Sequence, residues 1–199
     1  MIVLDVESTG VDARLCSLLS VGAVDFDAPA NCFYAECHKF PGAHVEKEAA
    51  EIHGFTVAQM EDEKKRTDRE VLVDFLVWMR TCKEWTLAGQ NPAFDRDFLQ
   101  ETAHRYHIDW PFAQRTVDLH SVAYYHMKGR GVEVPLLRNH SALNLDRILA
   151  YTGLKVARGK HNALEDAKLE AEAFQRLFYG RSLLEECENF AIPDFLRER

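Results

Sequence analysis

Residues 1–10 read MIVLDVESTG. Ile2, Val3, Leu4 and Val6 are branched or bulky, and Gly10 marks a turn, so the stretch predicts a β-strand whose start is fully buried. In a strand, residues two apart share a face. Asp5 and Glu7 therefore project side by side from the strand's end. Two like charges ~5 Å apart repel by ~3 kcal/mol at an effective dielectric of about 20. Three things relieve such repulsion: one acid stays protonated, a cation of the protein sits between the two, or a metal ion does. An ordinary strand end with solvated acids is the plain alternative, because D-x-E alone is common. The rest of the chain has to decide.

Downstream, 18–26 (LLSVGAVDF) and 32–40 (CFYAECHKF) read as two further strands joined by the turn DAPAN, a hairpin ended by Pro41-Gly42. Residues 46–55 predict a short helix closing at Gly54. Residues 68–82 predict a helix capped by Thr67 or Asp68, with Val71, Leu72, Phe75, Leu76, Met79 and Cys82 on its buried face. TLAGQN (86–91) reads as a short strand and 94–107 as a helix with Phe94, Phe98 and Leu99 inward. Residues 116–127 read as a brief strand running into a helix, and 128–143 as a loop long enough to be functional. Helices follow at 143–154, stopped at Gly153, and at 163–178, with Leu164, Ala167, Ala171, Phe174 and Phe178 on one side. Five strands, three able to pair as a meander and two alternating with helices, predict a mixed sheet covered by helices in an α/β or α+β arrangement. The expected organisation is one domain over 1–180 and a C-terminal tail over 181–199 with room for a short helix, packed on the domain or against another chain.

Composition narrows the class. The chain has 199 residues, 47% hydrophobic and 28% charged, which is globular composition in a length suited to one domain. No apolar run reaches the ~18 residues of a membrane span, and no secretory leader opens the chain, so a soluble cytoplasmic protein is expected. The five cysteines contain no CxxC. Cys32, Cys37 and His38 have no standard zinc spacing, and reduced thiols are expected. The net charge of −8 disfavours nucleic-acid binding by bulk electrostatics. It leaves open an enzyme that meets phosphate through metal ions, since carboxylate ligands add to the negative count. Local basic residues exist: KKR at 64–66, KGR at 128–130, and Arg138, Lys155, Arg158 and Lys160. KKR reads as solvated surface; Arg130 and Arg138 make loop 128–143 a candidate wall against a substrate backbone.

Acids recur where elements end. Asp95 follows the strand TLAGQN in NPAFDRDFL, behind the break made by Asn91 and Pro92. Asp118 lies in TVDL. Asp166 follows His161 by five residues in HNALEDA, at the mouth of the last long helix. With Asp5 and Glu7 in DxExTG, Asp95 in NxxFDxxFL, and His161 and Asp166 in HxAxxDA, the chain resembles the DEDDh 3′–5′ exonucleases. These are the DnaQ-like enzymes, among them the proofreading subunits of bacterial DNA polymerases and the RNase T group. IHGF at 52–55 resembles the segment between the first two motifs. The motifs stand in order from 5 to 166, covering nearly the whole chain. Asp118 matches only loosely and stays outside the catalytic set.

The resemblance implies an RNase H-like fold with a five-stranded mixed sheet flanked by helices. It implies hydrolysis of phosphodiester bonds at the 3′ end of single-stranded DNA or RNA, releasing nucleoside 5′-monophosphates. Two Mg²⁺ or Mn²⁺ ions per active site are implied as cofactors. Hard divalent ions prefer oxygen ligands, and a pair of them ~3.5–4 Å apart suits attack on a phosphodiester. By resemblance, Asp5 bridges both ions, Glu7 and Asp166 hold one, Asp95 acts through bound water, and His161 is the general base. Ser8, Thr9, Gly10, Val11, His53, Phe55 and Asn91 are the implied contacts to the strand end. A homodimer or a polymerase partner fits the apolar residues of the tail. The rival readings are a non-catalytic nucleic-acid- or polymerase-binding module on the same fold, which would tend to have lost an acid, and an aspartyl-phosphate phosphatase, which wants Asp-x-Asp where Glu7 stands.

Overall fold

The computed structural model describes residues 1–156 and 159–197; Arg158, among the basic residues above, lies outside them. In chain order the elements are β1 (Ile2–Ser8), β2 (Leu18–Asp25), β3 (Cys32–His38), α1 (Lys47–His53), α2 (Val57–Met60), β4 (Arg66–Thr67), α3 (Asp68–Trp78), β5 (Leu87–Gly89), α4 (Pro92–Arg105), β6 (Val117–Asp118), α5 (Leu119–Gly129), β7 (Leu136–Leu137), β8 (His140–Ser141), α6 (Leu145–Tyr151), α7 (Ala163–Tyr179) and α8 (Asp194–Arg197). The main sheet runs β4-β3-β2-β1-β5-β6. Strands β1, β2 and β3 pair antiparallel, and β5 and β6 run parallel to β1. The five expected strands are there. The sixth, β4, adds two residues parallel to the edge of β3; a strand that short has no alternation to read.

Alternation in β1 divides the core. Ile2, Leu4 and Val6 pack with Leu72 and Phe75 of α3 and Phe98 and Leu99 of α4. Val3 packs on the opposite side with α5, α6 and α7. Asp5 and Glu7 have the parity of Val3, so they face α7. Two details of the expected core differ. Phe178 is 38% exposed, because the last turn of α7 reaches the rim, where the ring meets Phe26 and Phe174. Phe94 is only partly buried. The expected loop 128–143 holds a hairpin, β7–β8, whose turn residues Arg138 and Asn139 have φ of 49° and 67°, the left-handed pair that two-residue hairpin turns require.

The segment after α7 is tied to it. Leu184, Cys187 and Leu196 are buried in the core. Arg176 and Glu172 of α7, each 0% exposed, form an ion pair at 2.6 Å. Arg176 donates to the carbonyls of Thr152 and Cys187, and Glu172 accepts from the backbone of Leu183 and Leu184. All five cysteines are free thiols. Among the described residues no helix is long and apolar enough to cross a membrane.

Candidate active site

Two packing choices bring the acids together. In β2, Gly22 stands opposite Asp5. A Cβ there would lie 2.1–2.4 Å from the backbone of Ala163 and Leu164. Only a glycine lets the first turn of α7 rest directly on the sheet at this point. Asn162 caps that turn by accepting from the N–H groups of Leu164 and Glu165. Asp166 follows inside the first turn, where the helix dipole favours an anion. The second choice concerns α4, which starts at Pro92 after Asn91 in a left-handed conformation (φ 59°). β5 pairs with β1 only at Ile2 and Val3. The Val6 N–H beyond them donates to Asp95 Oδ1 at 3.0 Å.

Glu7, His161 and Asp166 form a trio whose donor atoms lie within 4.8 Å of one another. His161 Nδ1 is 3.5 Å from Asp166 Oδ2. The His161 backbone N–H donates to the Ile52 carbonyl, which ties the histidine's loop to α1. A register shift between Glu7 and Ser8 ends regular pairing with β2 just where the trio begins, a common use of strand irregularity beside a site. Glu7, Asp95 and Asp166 are buried, while the His161 side chain is 39% exposed.

Burying acids together raises their proton affinity. Asp5 is held well above the usual carboxylate range, first by desolvation and then by the charges of Asp95, Glu170, Glu7 and Asp166. Asp95 is raised to about 7, chiefly by burial, against the opposing hydrogen bond from Val6. At neutral pH the cluster needs protons or a cation. A set of carboxylate oxygens fits a hard divalent ion, so the residues present suit the metal that the motifs imply. Among the described residues, Cys32, Cys37 and His38 form no comparable group.

Two cavities meet at Asp5 and His161. The first, about 260 Å³, is lined by Glu7, Ser8, Gly10, Val11 and His53 as expected, and also by Phe94 and Ile52. The second, about 370 Å³, is lined by Asp166, Gln90, Asn144, Asp146 and Glu170. Three expected contacts do not line these two cavities. Thr9 is fully buried, and its groups serve the scaffold: its N–H donates to Ser17, its carbonyl accepts from Glu46, and its hydroxyl donates to the His44 carbonyl. Asn91 gives its N–H to Asp118, which also caps α5. Phe55 lines a third cavity, with Tyr34 and Asn162, that shares His53 and His161 with the first. His53 Nδ1 accepts the Phe55 N–H at 2.9 Å, so the ring proton sits on Nε2, a buried atom without a hydrogen-bond partner. Phe94 and Glu170 were not singled out in the sequence. Phe94 sits next to Asp95 and reads as one more inward helix residue. Glu170 was findable, since it lies four residues after Asp166 and thus on the same helix face.

Several known proteins are similar to this chain. The family model RNase_T, described as exonuclease, matches residues 2–174. A protein named Ribonuclease T from Vibrio vulnificus is 28% identical over 166 residues, covering 71% of this chain and 76% of that one. Proteins named DNA polymerase III PolC-type from Thermotoga maritima and Thermotoga petrophila are each 29% identical, over 88% and 94% of this chain. The chain spans only 12% and 13% of those polymerases. The crystal structure of cell-death related nuclease 4 (CRN-4) superposes with a TM-score of 0.68 at 18% identity, covering 89% of this chain and 62% of that one. E. coli exonuclease I in complex with a dA16 oligonucleotide gives 0.70 at 18% identity, covering 90% of this chain and 40% of that one. At such identity these structures speak for the fold, which is RNase H-like. The match over residues 2–174 goes further: this chain belongs to the RNase_T exonuclease family.

Proposed function

We propose that the chain is a metal-dependent 3′–5′ exonuclease that shortens single-stranded nucleic acid one nucleotide at a time and releases nucleoside 5′-monophosphates. The observation that carries this reading is the trio of buried Glu7 and Asp166 with half-buried His161, within 4.8 Å, beside two cavities that meet at Asp5.

Each residue has a part. Asp5, Glu7, Asp95 and Asp166 would hold two Mg²⁺ or Mn²⁺ ions. Bound there, such ions activate the attacking water, offset charge on the phosphate and help the leaving 3′-oxygen. His161 is partly exposed and would take the proton of that water as general base. The first cavity would receive the terminal nucleoside, with Val11 and Phe94 against its base. The Nε2–H of His53 would donate to one of its oxygens. A cavity of this size suits an unpaired end, because a paired one must first be opened at a cost. The oligonucleotide held by E. coli exonuclease I supports a single strand as the substrate class, and the two PolC-type relatives support a polymerase as the partner class. A cytoplasmic location suits the five free thiols.

The test is a time course on a 5′-labelled single strand with Mg²⁺ or Mn²⁺. A ladder shortening from the 3′ end, mononucleotide 5′-phosphates as product and a block by EDTA are expected. Internal cuts, loss from the 5′ end, or binding without cleavage would overturn the reading, the last in favour of a non-catalytic module.

A further inference from the structure

We propose that Glu170 is a fifth carboxylate of the cation site, serving the ion carried by Asp5 from the wall opposite Glu7. The inference rests on the exonuclease reading above and deepens it.

Asp5 is not part of the trio of close donors. Glu7 lines the first cavity, Glu170 lines the second, and Asp5 lines both. An ion at Asp5 on the side of the second cavity therefore shares that cavity with Glu170 as well as with Asp166 and Asp146. The position is built into the fold. Glu170 is one helical turn beyond Asp166 and 1% exposed. A Cβ at Gly89 would stand 3.1 Å from its Oε2 and 2.7 Å from the Leu4 carbonyl. Glycine at the end of β5 thus leaves the room in which the carboxylate reaches the β1–β5 seam beside Asp5. Gln90 lines the same cavity. It donates Nε2 to the Leu143 carbonyl at 3.1 Å, and its Oε1 is a buried acceptor without a hydrogen-bond partner. A hydrated divalent ion in this cavity would offer water protons to the amide oxygen and a charge that the carboxylate can share.

Mn²⁺ binding to the full chain, followed by calorimetry and electron paramagnetic resonance, tests this without recourse to activity. Glu170→Gln should weaken the binding of at least one Mn²⁺ tenfold or more, while the melting temperature of the metal-free protein holds or rises. Wild-type Mn²⁺ affinity in that variant would overturn the role of Glu170. Should the variant fail to fold, the wild-type protein decides: a crystallographic Mn²⁺ within about 4.5 Å of the Glu170 carboxylate, direct or through one water, supports it, and a greater distance overturns it. Failure of the underlying reading looks different. In that case the wild type takes up no Mn²⁺, whereas loss of Mn²⁺ on Asp166→Asn but not on Glu170→Gln removes Glu170 alone.

Discussion

His161 lies 3.5 Å from Asp166 with an exposed flank, and its proposed part is to move a proton rather than to hold metal. His161→Ala should therefore lower the turnover rate ~10²-fold or more and leave Mn²⁺ binding by calorimetry nearly unchanged. An unchanged rate would take the histidine out of the reaction. Asp5 and Asp95 carry a second expectation. Both are raised in the folded chain, Asp95 to about 7. The folded state then holds more protons than the unfolded state between the ordinary carboxylate range and about pH 7, so the stability of the metal-free protein falls as pH rises through that window. Saturating Mn²⁺ should flatten the loss, and binding at pH 7 should release protons, visible as buffer-dependent heats. Heats independent of buffer would contradict the assignment. Much of this was legible in the sequence. Period two put Asp5 and Glu7 on one face, and the ordered motifs picked out Asp95, His161 and Asp166. Glu170 was overlooked although its spacing from Asp166 put it on the same helix face, since a glutamate on an amphipathic helix ordinarily faces water. The scaffold role of Thr9 was not legible because sequence does not reveal which backbone groups a turn consumes.

Helix α7 and strand β2 meet at Gly22, and that contact sets the height of Asp166 above Asp5. Any side chain there collides with backbone, which cannot swing aside. Gly22→Ala should cost about 1–3 kcal/mol in urea unfolding and reduce activity by more than the loss of folded protein explains. A variant with full specific activity would show that the helix has slack. The long elements were legible because they repeat a period: alternation in β1, β2 and β3, and the apolar stripe of α3. The elements that escaped, α2, β4 and the pair β7–β8, are two to four residues long and complete no period. In the hairpin, exposed Leu136 and Leu137 and a left-handed Arg-Asn turn gave no usual signal.

Across the molecule, the core is split by one sheet, and the site sits where β1 ends between α4 and α7. The residues after Gly180 belong to the half that carries Asp166, since they are held by the buried pair Arg176–Glu172. Breaking a buried pair from one side leaves an uncompensated charge. Arg176→Met should cost about 3–5 kcal/mol by denaturant unfolding, and Arg176→Met with Glu172→Met should recover much of that loss. Equal destabilisation by the single and the double substitution would mean that packing, not charge, is what the arginine supplies. This tie was out of reach of the sequence, because a Glu and an Arg four apart on a helix ordinarily pair at the surface. The whole account turns on divalent ions at the end of β1. The most direct measurement is the anomalous scattering of Mn²⁺ in a crystal soaked at neutral pH with a nucleoside 5′-monophosphate. The prediction is strong density between Asp5, Glu7 and Asp166, lost in Asp166→Asn crystals. A wild-type site without manganese, while the nucleotide is bound, would contradict it.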